Sequence, residues 1–297
     1  MNIKSRGYRI FLVFDYLFIG LLALLCLFPM LNVLAISFSS STAAADGSVV
    51  FWPEDFSLAA YEYVTEDVTF LSAMAISCVR VILGTGLQLL FTVLCAYPLS
   101  KDSRRFKART VYAWYFVFTT LFGGGMIPTY VVVNNTNLIN TIWALILPGV
   151  VPVFNIILMI NFFRGIPNAL EEAALIDGAG HFRVLRSIYI PLAAPSIATV
   201  TLFSLVAHWN SWFDGMLYIN DVSRQPVATY LQSKLINSSL NTAQNITDLN
   251  TLARLTKISD QTVKSALVFV GIAPILLVYP FLQKYFTQGL TVGSVKE

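Results

Sequence analysis

Six long apolar stretches alternate with shorter polar connections, at about residues 10–38, 72–99, 110–133, 141–163, 192–219 and 263–286. A helix that crosses a bilayer needs about 20 mainly apolar residues, so each stretch predicts one membrane span. Between the fourth and fifth lies a polar segment with helical patterning, RGIPNALEEAALIDGAGHFRVLRSIYIP, residues 164–191. Asn168 suits an N-cap, Glu171 three residues later completes a capping box, and the acidic pair Glu171 and Glu172 favours the positive end of a helix dipole. Gly178 and Gly180 supply turn or left-handed positions that stop this helix. A second short helix is predicted over 182–191, with Phe182, Leu185 and Tyr189 on one side and Arg183 and Arg186 on another. The product is a compact two-helix knob.

Composition agrees with a polytopic membrane protein. Hydrophobic residues make up 56% of the chain and charged ones 12%, against roughly 25% charged in soluble domains, and mean hydropathy is +0.69. Basic residues concentrate in cytoplasmic loops. Lys4, Arg6 and Arg9, then Lys101, Arg104, Arg105, Lys107 and Arg109, then Arg164, Arg183 and Arg186 therefore mark the cytoplasmic side. The segment after the first span carries Asp46, Glu54, Asp55, Glu62, Glu66 and Asp67 without Lys or Arg, which places it outside. Trp52, Pro53, Tyr61 and Tyr63 in it suit a ledge on the membrane surface. Six spans then leave both termini inside, and the net charge of +3 reads as a topology signal; no zinc spacing or basic-aromatic stripe points to nucleic acid. The first span is too long for a signal-peptide core and is expected to be retained. Cys26, Cys78 and Cys95 lie in or beside apolar spans without paired spacing, so no metal site is assigned. One transmembrane domain, 1–297, accounts for the chain.

Within the polar segment, Glu172-Ala173-Ala174 is followed after three residues by Gly178, and after nine more by Ile188 and Pro191. This spacing resembles the EAA loop of the membrane-spanning subunits of bacterial ABC importers, with Ile190 where Leu is usual. The stretches GGGMIPTYVVVNN (123–135), TIWALILPG (141–149), HWNSWFDGMLYIN (208–220) and YPFLQKYFTQGLTVGSVKE (279–297) are similar to the carbohydrate-importer permeases of the MalG-like kind. Within that group they are closest to the branch of lipopolysaccharide- and polysaccharide-type oligosaccharide permeases, such as the alginate importer. The resemblance implies an all-α integral membrane protein with the type I importer fold, set in the inner membrane. It also implies an extracytoplasmic sugar-binding protein, a second and different permease, and an ATPase dimer that holds ATP and magnesium. The chain itself would bind no cofactor. It has no Gly-x-x-x-x-Gly-Lys sequence with which to hold nucleotide, and no residue is assigned to catalysis.

By that resemblance the loop 164–191 is the coupling element that sits in a groove of the ATPase. Glu171, Glu172, Ala173, Ala174, Asp177, Gly178, Arg183 and Pro191 are its candidate residues, with Glu172 foremost. The C-terminal Gly289 and Gly293 are candidates for a tail contact with the ATPase. Polar residues inside spans usually face a bundle interior or cavity, which makes Asn155, His208, Asn210, Trp212 and Asp214 candidates for the substrate path; interface belts of Trp and Tyr account for the aromatic ones equally well. Arg80, early in the second span, is expected to snorkel or to pair with an acid. Pro148-Gly149 and Pro152 predict a flexible point in the fourth span. Two other readings stay open: a permease for another solute class, and an integral-membrane enzyme. The enzyme would need convergent His, Asp or Glu groups, whereas His181 and His208 fall in different regions.

Overall fold

The computed structural model describes residues 6–237 and 259–294, with side chains left undescribed at 6, 9, 237, 279 and 281–294. All regular elements among the described residues are helical. They fall into two compact units, Met1–Phe70 with Ser233–Ile272, and Leu71–Gln232 with Ala273–Glu297.

In the first unit, α1 (Arg6–Ser37) is an apolar rod with Pro29 inside it. The expected ledge after it is folded rather than extended. It holds α2 (Ser41–Asp46), capped by the Ser40 side chain and stopped by the left-handed Gly47, and α3 (Ala59–Glu66). Asn32 on α1 donates to the carbonyls of Val49 and Val50 at 3.0 and 2.9 Å. Phe38 stacks on both Phe56 and Tyr61, at 5.6 and 4.6 Å between ring centres. These contacts pin the acidic segment back on the end of α1.

The second unit is organised by α4 (Val68–Ser100). Residues four apart share a helix face, and on one face of α4 stand Arg80, Gly84 and Gln88. Around it, three of the expected spans are broken. The third is α5 (Arg109–Leu121) and α6 (Met126–Asn135), bent by 110°, where the sequence pattern predicts one helix. Three successive glycines, 123–125, separate them, with Gly125 at φ +85, a conformation a Cβ resists. The fourth is α7 (Ile142–Ile146), a 3-10 turn Leu147–Gly149, and α8 (Val153–Arg164), bent by 49°. The break falls at Pro148 and Pro152, as expected. Gln88 Nε2 donates to the freed Gly149 carbonyl at 2.8 Å, the repair such a break needs at membrane depth.

The coupling segment holds α9 (Asn168–Ile176), α10 (His181–Val184), a π-turn Leu185–Tyr189 and α11 (Ile190–Leu192). The fifth span, α12 (Ala194–Asn210), stops short of the expected 219, and α13 (Phe213–Tyr218) follows as a separate turn. Arg80, 2% exposed, resolves that stop: it pairs with Asp214 and donates to the carbonyls of Ser211 and Leu145 at 3.0 and 3.5 Å. Then comes α14 (Val227–Asn237), whose Val227 N–H donates to Ser77 of α4 at 2.7 Å. The last helix, α15 (Asp260–Ser294), outruns the expected 263–286 at both ends, through Pro274 and Pro280.

Three helical segments are long and apolar enough to cross a membrane unbroken: Ile10–Ser37, Val68–Ser100 and Asp260–Val278. Counting each of three bent pairs as one span, α5 with α6, α7 to α8, and His181–Leu192 with α12 at 83°, brings the number up to six.

Close approach of α13 and α14 depends on Gly215. A Cβ there would meet Thr229 Oγ1, with Thr229 Cβ at 3.0 Å and Pro226 Cδ at 3.1 Å. Gly215→Ala is expected to cost about 1–3 kcal/mol as overpacking, read as a lower melting temperature in detergent, whereas Gly86→Ala, which meets nothing within 4 Å, should be close to neutral.

Candidate functional site

The knob is seated on the hydrophobic cluster where α4, α8 and α12 converge. Val93, Ala96 and Tyr97 pack with Ile156, Met159 and Phe163, and with Val184, Leu185 and Tyr189 from the knob. The π-turn matters for this seating. A wide turn shifts the helix face locally, and such bulges recur at functional positions. Here Leu185 and Tyr189 point into the core, while Phe182, expected on the same side, is 71% exposed.

Glu171 does not form the expected capping box. Asn168 is the first helical residue, Pro167 occupies the cap position, and no side chain caps the helix. The Glu171 carboxylate is engaged elsewhere: it is 1% exposed, and its Oε2 accepts from Lys101 Nζ and from Tyr189 Oη, both at 2.8 Å. Arg105 Nη1 stands 3.4 Å from the same oxygen, and its Nη2 donates to Glu172 at 2.6 Å. Lys101 is further held between two aromatic faces, 4.0 Å from the centre of the Tyr97 ring and 3.9 Å from that of Tyr189, a cation–π arrangement. Tyr189 meets Tyr97 and Phe163 edge to face at 5.0 and 5.3 Å. Arg109 Nε donates to the Leu99 carbonyl at 3.0 Å, closing the end of α4 as basic side chains do at helix C-termini. A charged latch thus joins the first turn of α9 to the end of α4.

Burial pushes the Glu171 carboxyl up, but hydrogen bonds from Lys101 and Tyr189 and the charges of Lys101 and Arg105 outweigh it, and the group lies below its ordinary value of 4.5. A carboxyl depressed in the folded state lends stability that is complete above its unfolded value and is lost as pH falls through its lowered native value. Burial also pulls the Lys101 ammonium down, against the opposing pull of Glu171. Amide exchange in α9, corrected for intrinsic rates, is therefore expected to speed up below about pH 4.5, the ordinary carboxylate range, and Glu171→Gln should remove the pH dependence.

The exposed surface of the knob mixes apolar and charged side chains. Ile176 at the end of α9 is 86% exposed, and with Phe182 it forms the tip. Gly178 turns the chain between them at φ +81; Gly180, at φ −74, is an ordinary extended residue and not a second left-handed position. Glu172, Ala173, Asp177, Arg183 and Pro191 are exposed, and Ala174 packs against the core. Lys101, Arg105 and Tyr189 were missed as partners of Glu171. The basic run signals only topology in the sequence, and no spacing links residue 101 to residue 171.

Of the candidates for a substrate path, Asp214, His208 and Asn155 lie along one face of α4, at Arg80, Gly84 and Gln88 in turn. Asn155 donates to Ser204 at 3.1 Å and lines, with Gln88, Phe154 and Phe203, a cavity of about 330 Å³. His208 lies against Gly84, where a Cβ would meet its ring at 2.5 Å. Asp214 is taken up by Arg80, Ser211 and the Gly215 N–H, while Asn210 and Trp212 are exposed. Gly289 and Gly293 lie in the helical backbone of α15; residues 295–297 of the tail are outside the described residues.

Residues 88–292 match the family described as binding-protein-dependent transport system inner membrane component. The chain belongs to that family. The permease is 41% identical over 293 residues to Protein LplC of Bacillus subtilis, covering 99% of this chain and 97% of that one. It is 37% identical over 288 residues to the polygalacturonan/rhamnogalacturonan transport system permease protein YtcP of the same organism, covering 97% and 99%. Its fold matches a chain in the crystal structure of a bacterial ABC transporter involved in the import of the acidic polysaccharide alginate, with a TM-score of 0.86 and 33% identity, covering 96% of this permease and 100% of that chain. The permease thus has the all-helical type I importer fold. It is a multi-pass, non-catalytic membrane component of an ABC transporter, and ATP is used by separate ATPase subunits.

Proposed function

We propose that the permease forms half of the translocation path for an oligosaccharide. A binding protein would deliver the sugar from outside, and the permease would pair with a second, different permease on an ATPase dimer. The whole chain acts as one transmembrane domain in the inner membrane, since the family match runs through segments of both compact units. Both termini and the knob face the cytoplasm, as the basic runs indicate. Support for a sugar comes from relatives named for polygalacturonan and alginate transport.

One observation carries the coupling role: the exposed Ile176 and Phe182 stand on a knob whose base is locked to α4 through Glu171. Such an element docks by its tip and transmits force through its base. Closure of the ATPase dimer would move it, and α4 with it, between inward- and outward-open states. Glu172 and Arg183 flank the tip and meet charges on the ATPase; Gly289 and Gly293 on the C-terminal helix give a second, smaller contact.

Glu172→Lys and Gly178→Leu are expected to abolish sugar uptake and the stimulation of ATP hydrolysis by the loaded binding protein, while membrane insertion is kept. Full stimulation in the assembled Glu172→Lys complex would contradict docking through this loop.

A further inference from the structure

The latch borders a second feature that transport does not explain. A cavity of about 290 Å³ beside it is lined by Lys101, Arg105, Arg109 and Arg164, with Asp102 as its one lining carboxylate. Glu171 and Glu172 balance Lys101 and Arg105. Arg109 is committed only through Nε, and Arg164 has no hydrogen bond or ion pair among the described residues. The cluster therefore carries one positive charge more than its carboxylates balance. Guanidinium forks match phosphate oxygens in geometry as well as charge.

Arg109 also lines an apolar groove of about 330 Å³ along α5, with Thr110, Ala113, Trp114 and Val117. No residue of α5 is buried, and Tyr112, Trp114 and Tyr115 stand exposed within two turns of Arg109, as aromatic side chains do at headgroup depth. A basic cavity and an apolar groove that share Arg109 are together complementary to an amphiphile with an anionic head.

We propose that this site holds an anionic phospholipid, with the phosphodiester between Arg109 and Arg164 and an acyl chain along α5 against Trp114. A monoanionic phosphodiester matches the single excess charge, and basic pockets between helices on the cytoplasmic side are suited to such headgroups. The site rests on the cytoplasmic placement of residues 101–109 but not on the coupling role of the knob.

Native mass spectrometry of the purified importer complex with phosphatidylglycerol and phosphatidylcholine tests the proposal. Phosphatidylglycerol should be retained in preference, Arg164→Gln and Arg109→Gln should each weaken its retention by about fivefold, and Trp114→Ala should weaken both lipids. An unchanged melting temperature and subunit composition of the Arg164→Gln complex serve as the folding control. Equal retention of the two lipids would overturn the proposal. So would displacement of phosphatidylglycerol by millimolar inorganic phosphate, which would make the site one for a free anion, or capture of another protein subunit by a photoreactive residue at position 114.

Discussion

Alanine at Glu171 is expected to uncouple the transporter without touching the docking tip. The substitution leaves the Lys101 ammonium, buried between Tyr97 and Tyr189, without its carboxylate, and removes the acceptor of Tyr189. Breaking a buried pair from one side costs about 3–5 kcal/mol because the surviving charge stays desolvated; Arg105, over a third exposed, contributes little to that figure. The loss falls on the seating of α9, so the knob should still bind the ATPase but move without α4. Uptake is expected to fall about tenfold or more, within the usual range of coupling energies, with ATP hydrolysis continuing and no longer answering to the loaded binding protein. Lys101→Met alone should do the same. The double variant Lys101→Met with Glu171→Leu should be folded more stably than either single variant, because no charge is left buried, yet remain uncoupled. A double variant that transports normally would show the latch to be only structural.

The second large effect is expected in the first half of the same helix. Among the described residues Arg80 is the largest fully buried side chain, and it ties together α4, the end of α7 and the gap between α12 and α13. Arg80→Met strands Asp214, and Asp214→Leu strands Arg80 at membrane depth, where an unpaired charge is costly. Asp214 is a quarter exposed, so Arg80→Met should cost about 3 kcal/mol, the low end for a broken buried pair, and Asp214→Leu somewhat more. Each should lower the melting temperature and the yield of detergent-purified protein. Because Arg80 also satisfies two free carbonyls, the double replacement should recover only part of the loss, in contrast to the Lys101 and Glu171 pair. Full recovery would show that the carbonyl contacts contribute nothing.

The sequence made some of this legible and hid the rest for physical reasons. The spacing from Glu172 to Pro191 names the family loop because it is local, and helix starts, stops and turn glycines are written in adjacent residues. The turn at Gly178 and the break between Pro148 and Pro152 were legible on the same ground. Gly123, Gly124 and Gly125 carry the sharpest bend, yet in an apolar run they read as part of one span, since hydropathy averages over a break. The capping box at Glu171 failed because a buried ammonium and a phenol compete for its carboxylate more strongly than the helix N-terminus does. That competition depends on Lys101, 70 residues earlier, and no periodicity reports it. Arg80 could be expected to seek an acid, but that the acid is Asp214, and that Arg80 also mends two helix breaks, follows only from the fold.

The claim that the 164–191 knob receives the work of ATP hydrolysis is tested most directly by site-specific photocrosslinking in the intact, transport-competent importer. A photoreactive residue at Ile176 or Phe182, the exposed tip, is predicted to capture the ATPase subunit, with a yield that changes when ATP closes the dimer. Capture of lipid or of permease chains alone, at either position and in every nucleotide state, would contradict the account.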